Sequence, residues 1–175
     1  LAACSAPATS PEPGTGSPGG DGGYVIGFSN SFNGNTYRQA MEGYAKQAAD
    51  ELIASGEVKE LIFAEANQDN NKQIQQIQSF ILQGVDAIIV DPGSATALTA
   101  VVQEASDAGI PVIIVNDGPI ESDAELVYQL NFDAVDQMRT LTDYIAKAIG
   151  GKGNVIELRG TQGDAFDAKA HDGVV

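Results

Sequence analysis

Asp91, Asp117 and Asp133 each stand at or just past the end of a short apolar run. Carboxylates gathered in that way are the hard oxygen ligands a magnesium ion needs, and an enzyme acting on phosphates could be built on them. Such an enzyme also requires a lysine and a phosphate-cradling loop beside the acids, and the sequence has neither at a matching place. The glycine cluster at residues 19–23 is no substitute, since no strand precedes it and no Lys-Ser or Lys-Thr follows. His171 is the only histidine and Cys4 the only cysteine. Neither a Gly-x-Ser-x-Gly run nor a Cys–His pairing occurs, so nucleophilic catalysis has no carrier. No catalytic residue, metal-ligand set or cofactor motif is assigned, and the chain is not expected to be an enzyme. Asp91 and Asp133 are candidates either for lining a polar cleft or for capping the helix that follows each.

Strand-end residues act together only if the strands lie side by side. Residues 24–29 read as a first strand, and Tyr37, Ala40, Met41, Tyr44, Ala45, Ala48 and Leu52 mark one face of the helix after it. A second strand is expected over 58–66. A helix over 70–83 follows, with Ile74, Ile77 and Ile81 on its inner face and glutamines on a solvated outer one. Residues 85–90 and 110–115 are nearly all apolar, as in strands covered on both faces. Between them Asp91-Pro92-Gly93-Ser94 turns the chain into a helix carrying Leu98, Val101, Val102, Ala105 and Ala108 inward. A weaker strand over 126–130, a helix over 133–149 and a further strand over 155–158 complete the series. Gly56, Gly84, Gly109 and Gly150 each follow a helix, where a left-handed residue ends it.

This alternation predicts an α/β fold, a three-layer, doubly wound parallel sheet with right-handed crossovers. Ligands of such sheets bind beyond the carboxyl ends of the strands. The segments to watch are therefore 30–38, 66–70, 91–94, 116–118, 131–133 and 159 onward.

The chain has 175 residues, 43% of them hydrophobic, enough for one domain with a core. Its 24 acidic and 9 basic residues leave a net charge of −15, which disfavours nucleic acid as a partner. The strongest apolar runs are strand-length, far short of the roughly 20 residues that span a bilayer. Residues 5–23 are rich in Pro, Gly, Ser and Thr and read as a flexible tether. The opening Leu1-Ala2-Ala3-Cys4 resembles the lipobox that ends a bacterial lipoprotein signal peptide, with lipidation on the Cys4 sulfur. The alternative is a thiol with no such role.

Residues 24–175 resemble the type 1 periplasmic binding proteins for sugars, the ribose and galactofuranose binders in particular. The resemblance is carried by Ile26-Gly27-Phe28-Ser29 leading to Tyr37-Arg38, and by Gln83-Gly84-Val85-Asp86-Ala87-Ile88-Ile89-Val90-Asp91-Pro92. Ala108-Gly109-Ile110-Pro111-Val112 and Val155-Ile156-Glu157-Leu158-Arg159-Gly160 complete it. It implies that Tyr37 lies against the apolar face of a sugar and that the Arg38 fork bonds vicinal hydroxyls. The other reading of Tyr37 is a core aromatic on the inner face of its helix.

Where such proteins carry Asp-Arg after the fourth strand, this chain has Asn116-Asp117, a pair that suits hydroxyls and repels an anion. Where they place an arginine after the last strand, it has Ala168 and Ala170, with Asp164, Phe166 and Asp167 as nearby candidates instead. The resemblance further implies that 24–175 is the N-terminal lobe of a two-lobe protein whose second lobe is missing, a monomer that closes on its ligand. The expected role is the extracytoplasmic, lipid-anchored binding component of an ABC-type sugar or polyol uptake system, with permease subunits as partners. A sensing protein that presents ligand to a chemoreceptor or sensor kinase would use the same capture chemistry. Sugar-responsive repressors share the two-lobe fold but require a basic helix-turn-helix at the front, where this chain has its tether.

Overall fold

The computed structural model describes residues 22–116, 119–160 and 165–175. Its elements are β1 (Tyr24–Asn30), α1 (Thr36–Ser55), β2 (Val58–Glu65), α2 (Asn70–Gln83), β3 (Ala87–Asp91) and α3 (Thr99–Asp107), followed by β4 (Val112–Asn116), β5 (Val127–Asn131), α4 (Ala134–Ala148) and α5 (Ala165–Val174). The five strands form one parallel sheet in the order β2-β1-β3-β4-β5.

Neighbouring strand residues point to opposite faces, and this alternation sorts the apolar side chains into layers. Ile88, Val90, Val112 and Ile114 face α2 and α3, where they join Ile77, Phe80, Val101, Val102 and Ala105 in the core. Each fully buried aliphatic side chain there contributes about 1.5–3 kcal/mol relative to exposure. Gly27 belongs to the same face because Phe80 lies against it; a Cβ at residue 27 would meet the ring at 2.6 Å. Phe28, Ile89 and Val115 point the other way, toward Tyr37 and Met41 of α1. Helices therefore cover both faces, and the three-layer α/β architecture is the one the strand pattern predicts.

Local signals set the element ends. Asn35 caps α1 by accepting from the Arg38 N–H at 2.8 Å, and Asp69 caps α2 by accepting from Asn71 and Lys72. Gly56 and Gly84 stop those helices at φ of 81° and 64°, a region that costs a side-chain-bearing residue more than glycine.

Three expectations shift. Strand β3 begins at Ala87 rather than Val85, because the Val85 N–H closes the end of α2 on the Phe80 carbonyl. Helix α3 begins at Thr99, since Ser94 first holds a turn by accepting from the Thr96 and Ala97 N–H groups. Residues 155–158 form no strand: no partner strand lies beside them among the described residues, and Ile156 and Leu158 are 87% and 93% exposed. A four-residue apolar run gains ladder hydrogen bonds only from a neighbour. Here it sits against α4 and α5, which pack on each other rather than on the sheet.

Candidate ligand-binding site

The parallel register sets Asn30 of β1 beside Asp91 of β3, the last residue of each strand. Asn116 ends β4, the next strand over, and takes a left-handed φ of 74° that asparagine tolerates better than most residues. Three polar side chains thus gather at the carboxyl edge of three adjacent strands. The Asn35 cap starts α1 directly above them, and its first turn delivers Tyr37 and Arg38.

The side chains form a connected network. The Tyr37 hydroxyl donates to Asn116 Oδ1 at 2.7 Å. Asn116 Nδ2 in turn donates to Asp91 Oδ2 at 3.3 Å. Arg38 Nη1 forms an ion pair with that same Asp91 oxygen and donates to Asn30 Oδ1 at 3.3 Å. The Asp91 side chain is 0% exposed and that of Arg38 6%, so the pair is withdrawn from water and its opposite charges offset each other locally. Behind it, the buried Gln73 amide donates to the Asp91 carbonyl and accepts from the Gly93 N–H, both at 2.9 Å. That clamp fixes the turn after β3.

In front of the network lies a cavity of about 450 Å³ lined by Phe28, Tyr37, Met41, Ile89, Val115, Asn116, Leu130, Asn131 and Phe132. Its walls are apolar, and Tyr37, Asn116 and Asn131 supply the polar groups at its edge. This combination suits a small ligand with C–H faces and hydroxyls. Among the described residues no group of three His, Cys, Asp or Glu side chains could hold a metal ion, and no helix is long and apolar enough to cross a membrane.

Of the residues singled out in the sequence, Tyr37, Arg38, Asp91 and Asn116 come together here. Asp133 caps α4 instead, its Oδ1 accepting from the Asp136 N–H at 3.0 Å. Phe166 lies in the first turn of α5, the helix that packs on α4. Asp167, the next candidate on α5, accepts from Arg159 Nη2 at 2.8 Å and from the Gly160 N–H at 2.6 Å. The Arg159 bond, then the Gly160 N–H, hold its carboxyl below the ordinary aspartate value, while Arg159 is raised mainly by the same bond. Cys4, Asp117 and Asp164 lie outside the described residues.

Sequence reasoning missed Asn30 and Gln73. Gln73 was read with the solvated glutamine face, yet it is fully buried. Its spacing from Ile77 and Phe80, four and seven residues on, places it on their inner face and was the available signal.

Residues 26–175 match the family model described as a periplasmic binding protein domain, and the chain belongs to that family. The galactofuranose-binding protein of Escherichia coli K12 is 33% identical over 142 residues, 79% of this chain and 43% of that protein. Among solved structures, an ABC transporter solute-binding protein from Thermobispora bispora superposes with a TM-score of 0.76 at 36% identity, over 86% of this chain and 47% of the other. The fructose-binding periplasmic domain of a hybrid two-component system does so with a TM-score of 0.72 at 31% identity, over 86% and 48%. The chain thus spans about half the length of the proteins it matches.

Proposed function

We propose that this chain supplies one wall of a sugar- or polyol-binding cleft in the extracytoplasmic binding component of an ABC-type uptake system. The observation that carries this reading is the Tyr37–Asn116–Asp91 chain of hydrogen bonds at the carboxyl edge of the sheet, set beside an apolar cavity. An aromatic ring with an amide next to it is what a polyhydroxylated ring requires: a surface for its C–H face and a donor-acceptor pair for its hydroxyls. In this reading Tyr37 stacks, Asn116 and Asp117 bond hydroxyls, and Arg38 with Asp91 holds them in place from behind. A second lobe closes over the ligand, permease subunits receive it, and no bond of the ligand is broken. Lipid on Cys4 tethers the protein to the outer face of the cell membrane through the 5–23 segment.

Isothermal calorimetry of the complete protein against pentoses, hexoses and polyols tests this. Saturable binding of one of them, weakened by Tyr37→Ala and by Asn116→Ala, is the expected outcome; silence across the panel overturns it. A sensing role, with the bound form read by a sensor kinase or chemoreceptor, is the second reading. The likeness to the fructose-binding domain of a two-component system favours keeping it. Binding data are the same for both, and transport in a deletion strain separates them.

A further inference from the structure

We propose that Asn33 is a deamidation site, and that its conversion to a carboxylate releases the loop leading into Tyr37 and Arg38, so that the protein loses ligand affinity with age. The chemical step stands apart from the sugar-binding reading, and its effect on affinity rests on that reading.

Asn33-Gly34 is the one Asn-Gly step in the chain. Asparagine is thermolabile, above all where the next backbone nitrogen can reach its amide, and glycine, lacking Cβ, leaves that nitrogen least hindered. Residues 31–35 lie between β1 and α1 in neither helix nor strand, and Gly34 is exposed. Among the described residues its N–H has no acceptor, so the nucleophile is not held elsewhere. Packing also keeps the step as it is: a Cβ at residue 34 would lie 2.0 Å from the Phe32 ring.

The reaction needs only water. The Gly34 nitrogen gives up its proton and bonds to the Asn33 Cγ. The Cγ–Nδ2 bond breaks, its electron pair leaves with the nitrogen, and with the proton returned through solvent ammonia departs. Water then opens the five-membered imide at either carbonyl, hydroxyl adding to carbon and hydrogen to nitrogen. The products are aspartate, or isoaspartate with the main chain rerouted through Cβ.

Either product reverses the contact that holds the loop. Asn33 Nδ2 donates to Glu42 Oε2 at 2.5 Å, and this is its only side-chain hydrogen bond among the described residues, Oδ1 being buried without a partner. The Glu42 side chain is mostly buried, and its other oxygen pairs with Lys46. A carboxylate at residue 33 brings an acceptor and a like charge against Glu42 where water screens poorly. Two residues on, Asn35 caps α1 through the Arg38 N–H, and the first turn sets Tyr37 against Asn116. Movement of the loop therefore reaches both.

Peptide mapping by mass spectrometry follows the step in the complete folded protein held in warm, mildly alkaline buffer. Asn33 is expected to convert at least tenfold faster than Asn35, Asn131 and Asn154, yielding both aspartate and isoaspartate, and Asn33→Gln to abolish the change. Conversion no faster than at the other three overturns the site.

The consequence is read on Asn33→Asp by thermal unfolding and by calorimetry with D-ribose, D-galactose, xylitol and myo-inositol. A lower unfolding midpoint is expected, with affinity for the probe that wild type binds reduced threefold or more. Glu42→Gln in the same background supplies the lost donor and restores both. An unchanged midpoint, an unchanged affinity or the lack of rescue overturns the released loop. Aged wild type, separated from fresh protein by its added charge, gives the same comparison if Asn33→Asp fails to fold. Wild type that binds none of the probes sinks the sugar reading, and the peptide map and the unfolding midpoints then decide the inference alone.

Discussion

Tyr37 combines two tasks that separate on removing a single oxygen. Its ring lines the cavity, while its hydroxyl holds Asn116 at 2.7 Å. Tyr37→Phe keeps the ring and loses one hydrogen bond, so a stability loss near 1 kcal/mol is expected, with a smaller loss of affinity than Tyr37→Ala. Denaturant unfolding and calorimetry on both variants check the order. Asn116 divides in the same way between side chain and backbone. Asn116→Ala removes the donor to Asp91 and places a Cβ-bearing residue without asparagine's local hydrogen bonding at φ 74°. Asn116→Gly removes the same side-chain amide, the donor to Asp91 and the acceptor from Tyr37, without the backbone penalty. Alanine should therefore be the less stable by about 1 kcal/mol, with the two equally defective in binding. Gln73→Leu leaves the Asp91 carbonyl and the Gly93 N–H without partners in a buried place, for a loss of roughly 1–3 kcal/mol in the same unfolding measurement. At this scale the sequence made Tyr37, Arg38, Asp91 and Asn116 legible, because each sits where a strand ends or a helix begins. It did not reveal that Arg38 pairs with Asp91, since that depends on the β1–β3 register. Gln73 was hidden by its company, among glutamines that do face water.

Elements with their own partners were read correctly, and those that depend on others were not. Strands β1, β3 and β4 announce themselves because each is largely apolar and ends against a turn or a cap. The run 155–158 has the same composition, but no strand lies beside it to make it one. What holds the neighbouring residues instead is electrostatic: Arg159 and the Gly160 N–H both reach Asp167 on α5. The folded-state pKa of Asp167 is depressed, so the stabilisation it gives is fully present above the ordinary aspartate value of 3.8 and is lost as pH falls through the lower folded value. Amide exchange at Gly160 should accordingly quicken below that value relative to the acid-independent trend, and Asp167→Asn should remove the extra pH dependence. Exposure of the pair to solvent keeps the effect small.

The molecule as a whole is uneven in its packing. A closed core lies between the sheet and α2 with α3, whereas α4, α5 and residues 155–158 enclose an apolar groove lined by Met138, Leu141, Tyr144, Ile145, Ile156 and Leu158. Regions with few buried apolar contacts open at lower free energy than cores. Hydrogen exchange is therefore expected to be slowest at β1, β3 and β4 and faster by at least tenfold in α4 and α5; equal protection throughout would mean that the two parts unfold as one.

The position of β1 also sets the order in which the sheet can be completed. It lies in the interior, with β2 on one side and β3 on the other, and both neighbours come later in the chain. Until residue 91 has left the ribosome, one flank of β1 is a row of unpaired N–H and C=O groups, and the slot has to be kept open past the whole of β2 and α2. A nascent chain of this topology leaves β1 unfinished until β3 has followed it, in the state that a folding helper recognises and a folded protein does not offer.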